Sequence, residues 1–430
     1  MKNINVALLG FGTVGSGVAE TIRKNGKLIE DSIGCHFTIT HVLVRHPEKY
    51  RDLEILKGVR VTSSFEDIMN DGSVEIVIEV MGGIHPAKEY IFEALNHHIS
   101  VVSANKDLVA LFGPEIMHTA MDNHVNFNCE ASVGGGIPIL RPLHDSLAAN
   151  EIERIVGIVN GTTNFILSNM DEAGVSYGDA LRVAQKKGYA EADPTNDVAG
   201  YDAARKLAIL ASIGFHANVT FDDVLVEGIE KISQNDVQYA SEMGYTIKLL
   251  AVALRQENGI ALNVYPAFVP RSHPLASVKG SYNAIYVTGN IVDDVMFYGR
   301  GAGSLPTASA VMGDVISTAK HIMNHSTGTG MMLTETKRIP FYSSLKLENS
   351  YYFRLIVDDV TGVLSQIASA YADNDISIKE VVQKSRIEDA AELMIITEKT
   401  PRENIIHVEK ALPCMRQVAN IIRVLEDDRK

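Results

Sequence analysis

Near the middle of the chain, acidic and basic residues stand at a spacing suited to proton transfer. Asp202 and Lys206 are four residues apart and would lie on one face of a helix. Their neighbours are mostly apolar or small, and a helix that is apolar all round is usually buried. Glu191 and Asp193 stand shortly before them, ahead of Pro194. We therefore expect two acids and a lysine to converge on a pocket. An ordinary helix ion pair, worth about 0.2–0.5 kcal/mol, is the alternative.

Two predicted helices position these residues. Ser176 and Asp179 have capping-box spacing and begin a helix over 176–187 that a glycine ends. Thr195 is the predicted N-cap of the next helix, which continues to about Ser212. The loop between the two helices carries the first acids.

A glycine-rich motif follows the first apolar run of the chain. Residues 4–9 (INVALL) have the composition of a buried strand, and Gly10, Gly12 and Gly15 follow at once, before a helix-like segment from Ser16. The order strand, GxGxxG, helix is typical of dinucleotide binding, because the glycines allow a tight turn and the helix N-terminus binds pyrophosphate.

The end of the second predicted strand, 39–44, indicates which dinucleotide is bound. An acidic residue there would bind the ribose 2′-hydroxyl of NAD. This sequence has Arg45 and His46 instead, which suit the 2′-phosphate of NADP. A solvated loop charge is the alternative interpretation of Arg45.

Two further predicted strands end at residues suited to ligand binding. Strand 74–80 is followed by Gly82, and strand 100–103 by Lys106. Ligands lie beyond the carboxyl ends of the strands in doubly wound sheets, so Lys106 is placed to contact cofactor and substrate together. A simply exposed lysine is the alternative.

A fifth predicted strand, 126–130, runs into three successive glycines at 134–136 and then Pro138. Such a segment cannot be regular structure, and it exposes backbone carbonyls. It is either a hinge or, together with Glu130, a source of oxygen ligands for a hard cation.

Composition limits the classes of function. At 430 residues the chain is long enough for two or three domains. Its net charge, 39 − 53 = −14, argues against a nucleic-acid or anionic-membrane partner. Cys35, Cys129 and Cys414 are far apart and form no C-x-x-C pair, so neither a disulfide framework nor a structural zinc site is indicated. Without a signal-peptide or transmembrane run, we expect a cytoplasmic protein.

The rest of the chain predicts a sheet covered by helices and then a small separate module. The middle part has a helical segment at 221–249, a hairpin of strands 250–255 and 261–269, strands 284–288 and 294–297, and a helix at 306–321. An aperiodic linker follows at 324–346. The tail has strands 351–358, 376–384, 391–397 and 421–425 and helices 362–371 and 402–413. This is the βαββαβ order of a ferredoxin-like unit.

Several motifs in one order give the chain a close resemblance to homoserine dehydrogenase over nearly its whole length. They are GFGTVG at 10–15, SANK at 103–106, EASVGGGIP at 130–138, NGTTNFIL at 160–167, KKGYAEADP at 186–194, DAARK at 202–206 and GAGSLPTASAV at 301–311. The tail resembles an ACT domain, with Thr361 where the D-x-P-G turn of such domains has proline. Because no kinase-like segment precedes the glycine motif, the resemblance is to the monofunctional form.

The resemblance implies a domain arrangement of mixed α/β and α+β class. A Rossmann-type dinucleotide-binding domain would span 1–130, and an α+β catalytic and dimerisation domain would span 131–304. Helix 305–322 would pack back onto the first domain. A linker at 323–347 would lead to the ACT-like regulatory domain at 348–430.

The implied reaction is the reversible NAD(P)-dependent interconversion of L-homoserine and L-aspartate 4-semialdehyde, on the route from aspartate to threonine, isoleucine and methionine. Lys206 would give a proton to the carbonyl oxygen, assisted by Lys106. This agrees with the residue types, since an ammonium stabilises the alkoxide that hydride addition leaves and then protonates it. Neighbouring carboxylates favour the charged lysine. We therefore expect aldehyde reduction near neutral pH and alcohol oxidation at alkaline pH.

The resemblance also implies the remaining site residues. Those expected to bind substrate are Glu191, Asp202, Lys106, Gly161 and Thr162. Those expected to bind cofactor are Gly10, Phe11, Gly12, Thr13, Val14, Gly15, Arg45, Gly82, Ser103, Lys106 and Gly303. A monovalent cation, usually sodium, would be bound by Glu130 and the backbone oxygens of Val133, Gly135 and Ile137. We expect NADP more than NAD, a threonine-like effector at the tail, and a homodimer or homotetramer.

Two alternatives come from other classes of function. The first is a thiol-dependent semialdehyde dehydrogenase with Cys129 as nucleophile, although a cysteine inside a strand is more often a small hydrophobe. The second is a non-catalytic regulator that binds NADPH and an amino acid without turnover. The second alternative does not explain why Glu191, Asp202 and Lys206 stand together.

Overall fold

The computed structural model describes residues 2–326, 339–387, 389–411 and 415–426. Within them the chain forms two compact units. The first unit comprises Met1–Ile152, Arg205–Phe221 and Val287–Arg338. The second unit comprises Glu153–Ala204, Asp222–Tyr286 and Ile339–Lys430.

Strands and helices alternate at the start of the chain and give way to longer antiparallel strands. Up to residue 152 the elements are β1 (Lys2–Leu9), α1 (Thr13–Ile33), β2 (Cys35–Leu43), β3 (Arg60–Thr62), α2 (Glu66–Met69), β4 (Ile76–Glu79), α3 (Ala87–Asn96), β5 (Ser100–Ser103), α4 (Lys106–Asp122) and β6 (Phe127–Asn128). The middle elements are β7 (Ile152–Ile158), α5 (Gly161–Ala173), α6 (Tyr177–Lys186), α7 (Thr195–Val198), α8 (Tyr201–Phe215), β8 (Leu225–Val226), α9 (Gln234–Glu242), β9 (Tyr245–Gln256), β10 (Gly259–Pro270), β11 (Tyr282–Gly289), β12 (Asp293–Arg300) and α10 (Ser304–Met323). The last elements are β13 (Glu348–Asp358), α11 (Val363–Ala372), β14 (Ile378–Ile387), β15 (Ala390–Thr397), β16 (Thr400–Pro401), α12 (Arg402–Ala411) and β17 (Met415–Val424).

The first unit is built on a parallel sheet with strand order β3-β2-β1-β4-β5-β6. This is the doubly wound order that places a dinucleotide at the carboxyl ends of the strands. Helix α10 packs against α1, and its Ala308, Val311 and Val315 share a buried core with Val6 and Leu8 of β1. Gly17 of α1 allows this close packing, because a Cβ there would lie only 2.6 Å from the backbone oxygen of Ser304. The predicted Rossmann-type fold is confirmed.

The second unit is built on a mixed sheet in which β7, β9, β10, β17, β13, β15 and β14 are neighbours in that order. The predicted hairpin is confirmed as β9 and β10, which pair over their full length. The predicted βαββαβ order is also found, as β13, α11, β14, β15, α12 and β17. Its strand order, β17-β13-β15-β14, is that of a ferredoxin-like unit. We call residues 348–426 the C-terminal module.

A buried ionic network joins the C-terminal module to the remainder of the second unit. The guanidinium of Arg354 binds Asp236 at 2.7 Å and Glu392 at 3.1 Å, and the hydroxyl of Tyr239 donates to Glu392 at 2.6 Å. Strand β17 also pairs with β10 in parallel. The sheet therefore runs without interruption from the middle of the chain into the module.

Three sequence predictions were wrong in their boundaries. The helix predicted from Thr195 to Ser212 is two helices, α7 and α8, separated by Gly200 at φ +88°. The helical segment predicted over 221–249 is interrupted: a 3₁₀ turn at Phe221–Asp223 and strand β8 precede α9, and β9 begins at Tyr245. The strand predicted over 126–130 is reduced to β6, and residues Glu130–Ser132 form a 3₁₀ turn.

Some predicted features fall on other residues. Cys414, the end of the helix predicted over 402–413 and positions 327–338 of the predicted linker lie outside the described residues. Among the helices that are described, none is long and apolar enough to cross a membrane.

Candidate active site

The three motif glycines have separate structural roles. Gly10 adopts φ +101°, and a Cβ at Gly15 would lie 2.2 Å from the Gly10 backbone oxygen, so helix α1 packs closely on the turn. A Cβ at Gly12 would meet no atom within 4 Å. That open face, beside the N-terminus of α1, gives a pyrophosphate access to the backbone. The Phe11 side chain is buried, edge-on to Tyr50 at 5.8 Å, so only its backbone faces the turn.

A cavity of about 460 Å³ adjoins this turn. It brings together the predicted cofactor residues Gly10, Gly12, Arg45 and Gly82. Its remaining polar lining includes His46, Lys49, Ser63 and His85. Lys49 and Ser63 were missed, because a basic residue in a loop and a serine after a short strand carry no signal of their own. A volume of this size suits a cofactor fragment.

Buried Glu79, at the end of β4, connects the cofactor residues of two neighbouring strands. It accepts hydrogen bonds from the Ser103 hydroxyl at 2.6 Å and the Met81 backbone N–H at 2.8 Å. The Asn105 side chain then donates to the Gly83 backbone oxygen at 2.6 Å. Burial raises the pKa of Glu79. Hydrogen bonds from the Ser103 and Asn105 side chains and from the Met81 and Gly82 backbone partly oppose that rise. Glu79 is not recognisable from the sequence, because it ends an apolar strand.

Lys106 is the first residue of α4, whose N-cap is Asn105. Its side chain is half-buried. One residue later, Asp107 forms an ion pair with Arg205 at 3.4 Å. The predicted cofactor residue Gly303 is the N-cap of α10 and adopts φ +120°. The helices that carry Lys106 and Gly303 therefore both begin at predicted cofactor residues.

Asp202 and Lys206 lie one turn apart on α8, as their spacing predicts. The break at Gly200 makes Asp202 a first-turn residue, where the positive end of the helix dipole favours a carboxylate. A Cβ at Gly200 would come within 3.0 Å of the Val226 side chain and 3.1 Å of Val264, so packing supports the break. Asp202 is 5% exposed, and Lys206 is half-buried.

Asn160, which precedes α5, fixes the acids of the second unit. Its side-chain nitrogen donates to Asp197 at 2.7 Å and to Asp202 at 2.9 Å, and its oxygen accepts from the Thr163 backbone N–H at 2.8 Å. Asn160 begins the NGTT motif, but the sequence alone assigns it no role. One amide therefore caps α5 and orients two carboxylates at once.

The predicted substrate residues Gly161 and Thr162 are the first residues of α5. The Thr162 hydroxyl donates to the backbone oxygen of Tyr189 at 2.6 Å, which ties α5 to the loop that carries Glu191. Glu191 is exposed, and its backbone oxygen accepts from Gln185 at 3.1 Å. A Cβ at Gly161 would lie 2.9 Å from the backbone oxygen of Ser281.

Glu130 fixes the loop that begins with it. Its buried carboxylate accepts from the backbone N–H groups of Ile139 at 2.5 Å, Leu140 at 2.7 Å and Arg141 at 2.8 Å. A carboxylate has about four acceptor sites, so one stays available. Asp314 accepts from the Glu130 backbone N–H at 2.8 Å and pairs with Arg141. Burial raises the pKa of Asp314 to about 7, and the Arg141 charge opposes that rise.

The predicted cation ligands Val133, Gly135 and Ile137 are all buried in this loop. Within the described part of the chain, their backbone oxygens accept no hydrogen bond. Buried carbonyls usually have a partner. Backbone carbonyl and carboxylate oxygens are the type of donor that a hard cation takes.

The thiol alternative does not fit the environment of Cys129. The side chain is 2% exposed. Burial, together with the charges of Asp314 and Glu130, raises the pKa of its thiol well above the ordinary range. A reactive cysteine needs an accessible thiolate, so Cys129 is a core residue.

The parallel sheet, the open glycine turn and the cavity with cations at the end of β2 define the class of nicotinamide-dinucleotide oxidoreductases. The family model "Homoserine dehydrogenase, NAD binding domain" matches residues 10–130, and "Homoserine dehydrogenase" matches residues 138–316.

Individual relatives agree with both family models. A homoserine dehydrogenase of Bacillus subtilis is 40% identical over 99% of both chains. A homoserine dehydrogenase structure from Thiobacillus denitrificans superposes with a TM-score of 0.93 at 38% identity, covering 99% of each chain. A hyperthermophilic archaeal homoserine dehydrogenase, solved in complex with NADPH, gives a TM-score of 0.63 at 26% identity over 74% of this chain and 98% of its own.

The chain belongs to the homoserine dehydrogenase family. It is accordingly an oxidoreductase that acts on a CH–OH group, and neither alternative function is supported.

Replacing Glu79 by Gln tests its role in holding the cofactor loop. Gln has a single acceptor oxygen, so either the Ser103 hydroxyl or the Met81 N–H loses its partner. We expect the free energy of unfolding to fall by about 1–3 kcal/mol and the KM for the dinucleotide to rise. Chemical denaturation and initial rates measure both, with exposed Glu93→Gln on α3 as control. Wild-type values for both quantities in Glu79→Gln would contradict the role.

Proposed function

We propose that this enzyme interconverts L-homoserine and L-aspartate 4-semialdehyde with Lys206 as the proton donor and acceptor. The observation that carries the proposal is the start of α8, where Asn160 holds Asp202 in the first helical turn and Lys206 follows one turn later. When bound, the nicotinamide supplies or takes up the hydride. Lys206 gives its proton to the substrate oxygen as negative charge develops there.

The other predicted residues bind and orient the substrate. Glu191 and Asp202 are acceptors for its ammonium and hydroxyl groups, and Lys106 assists Lys206. Gly161 and Thr162 shape the binding surface from the N-terminus of α5. Reduction near neutral pH and oxidation at alkaline pH remain predictions of this arrangement.

We propose NADP as the preferred dinucleotide. Arg45 lines the cavity beside the glycine turn, together with His46 and Lys49, and a cluster of cations suits a phosphate better than a ribose hydroxyl. The relative solved with NADPH is consistent with this preference. Thr13, Val14, Ser103 and Gly303 complete the proposed cofactor site.

A monovalent cation, sodium by preference, is proposed at the glycine loop. Its support is the set of backbone oxygens without partners at Val133, Gly135 and Ile137, together with the remaining acceptor capacity of Glu130. Such an ion would satisfy these groups and fix the loop between Glu130 and Ile139.

Two further expectations concern assembly and regulation. We propose a homodimer or homotetramer, supported by Ile291 at 71% exposed, Met296 at 39% and Tyr298 at 53%, since exposed apolar clusters mark interfaces. Light scattering that gives the monomer mass would contradict it.

We also propose an ACT-type C-terminal module that binds a threonine-like effector. A rate of homoserine oxidation that threonine does not change would contradict this proposal. The protein is proposed to reside in the cytoplasm.

Lys206→Met removes the ammonium and keeps most of the side-chain stem. We expect kcat for homoserine oxidation to fall by about 10²–10⁴-fold, the usual contribution of a positioned acid or base. The control is Lys186→Met, an exposed lysine on α6, which should retain wild-type kcat. A Lys206→Met enzyme that turns over at the wild-type rate would overturn the assignment.

Arg45→Gln removes a charge from the cofactor cavity. Charge-assisted hydrogen bonds contribute about 1.5–3 kcal/mol, so the KM for NADPH should rise roughly ten- to hundredfold. The KM for NADH should stay nearly constant, because NADH has no 2′-phosphate. Exposed Arg51→Gln, outside the cavity lining, is the matched control. Equal losses with both dinucleotides would contradict NADP preference.

Removing sodium tests the cation site directly. Melting curves in sodium chloride and in tetramethylammonium chloride at equal ionic strength should differ, with the higher Tm in sodium. The larger organic cation is too bulky for a ring of backbone oxygens. Identical melting temperatures in the two salts would argue against a specific ion.

A further inference from the structure

A second cavity, of about 260 Å³, lies in the second unit and contains none of the predicted site residues. Its lining includes Glu227 and Lys231 from the segment after β8, Tyr351 of β13, Arg402 at the start of α12, and Arg423 of β17. Three of these residues are cations and one is an acid. A local excess of positive charge stands out in a chain whose net charge is −14.

Arg423 is rigidly held at one wall of the cavity. It is 7% exposed, its guanidinium binds Glu227 at 2.9 Å, and it lies over the ring of Tyr265 at 4.3 Å. Its backbone is at the position where β17 pairs with Ala267 of β10. Cation–π contact and an ion pair together fix the guanidinium plane.

Arg402, also in the cavity lining, is not held by an ion pair to a described residue as Arg423 is. It is half-buried, and its guanidinium makes no hydrogen bond or ion pair within the described parts of the chain. Burial and then the charge of Arg423 lower its pKa. As the first residue of α12 it also lies at the positive end of a helix dipole, where a cation is disfavoured. Among the described residues, Arg423 therefore has one anionic partner, Glu227, and the Arg402 guanidinium has none within ion-pair distance.

A buried donor opens into the same cavity. Tyr351 is 3% exposed, and its hydroxyl makes no hydrogen bond of good geometry among the described residues, although the side chains of Asn349 and Arg423 lie close enough to lower its pKa. Burial raises the pKa of this hydroxyl, and the Arg423 charge opposes the rise, so it remains a donor at neutral pH. Leaving such a group without a good hydrogen bond destabilises the folded chain. A ligand oxygen in the cavity would remove that cost.

We propose that this cavity binds a small dianion, of the phosphate or dicarboxylate class, through Arg402, Arg423 and the Tyr351 hydroxyl. Three cations against one carboxylate leave an excess of two positive charges, which a dianion neutralises. The planar guanidinium of Arg402 can bind two ligand oxygens at once. A zwitterionic amino acid fits less well, because the acid available for its ammonium, Glu227, is already paired with Arg423.

The test measures anion binding by the full chain, without dinucleotide, at constant ionic strength. Inorganic phosphate and succinate are titrated separately by calorimetry and by melting temperature, with chloride as the reference anion. Saturable binding of one or both is expected, and the two titrations tell the phosphate source from the dicarboxylate source. Stabilisation equal to that by chloride, with no saturable binding, would refute the site.

Variants decide where the anion binds. Arg402→Gln should weaken binding at least about tenfold, in keeping with the loss of a charge-assisted hydrogen bond, and Arg402→Lys should have an intermediate effect. Tyr351→Phe should weaken binding severalfold while it leaves the fold unchanged, since the removed hydroxyl makes no hydrogen bond of good geometry among the described residues. Exposed Arg416→Gln on β17 should bind as wild type does.

The cofactor cavity is the competing location for phosphate, so Arg45→Gln is the second control. It should retain the anion affinity of the wild type. Loss of binding in Arg45→Gln with retention in Arg402→Gln would overturn the proposal. The same holds if L-threonine, but neither dianion, binds in a way that Arg402→Gln abolishes.

Discussion

The structure depends on buried carboxylates that each need several hydrogen-bond donors. Glu79, Glu130 and Asp202 are all nearly inaccessible to water, and an unpaired charge in that setting is costly. Each therefore imposes a defined geometry on its donors. Glu79 fixes the ends of β4 and β5, Glu130 gathers three consecutive backbone N–H groups, and Asp202 binds the amide of Asn160. These hydrogen bonds hold the segments around the carboxylates in place.

The need of buried carboxylates for distant donors explains which site residues could be predicted from the sequence and which could not. The glycine motif was predictable, because the roles of Gly10 and Gly15 follow from local geometry and from the order of strand and helix. Glu79 was not, since an acid at the end of an apolar strand looks like an ordinary strand terminus. Its role depends on Ser103, which lies 24 residues later in the chain and is adjacent only in the folded sheet.

The break in the helix at Gly200 shows the same limitation. The residues from 195 to 212 have the composition of one helix, and a glycine inside such a run is a weak signal. Its positive φ is favoured by Val226 and Val264, which leave little room for a Cβ. Tertiary packing thus decided a local conformation. Asp202 and Lys206 were nevertheless correctly predicted to lie on one helix, because the break falls before both residues.

Strand β17 pairs with β10 in parallel, and the buried Arg354 network also contacts the C-terminal module. Both features bear on whether the chain can lose that module. The C-terminal module continues the sheet, so its removal would break the pairing between β17 and β10. Cleavage before β13 would uncover a hydrophobic sheet edge along β10 and leave Asp236 without its cation. Exposed edges of this kind promote aggregation. A nicked or shortened chain should therefore be less stable and more prone to aggregate than the full-length chain.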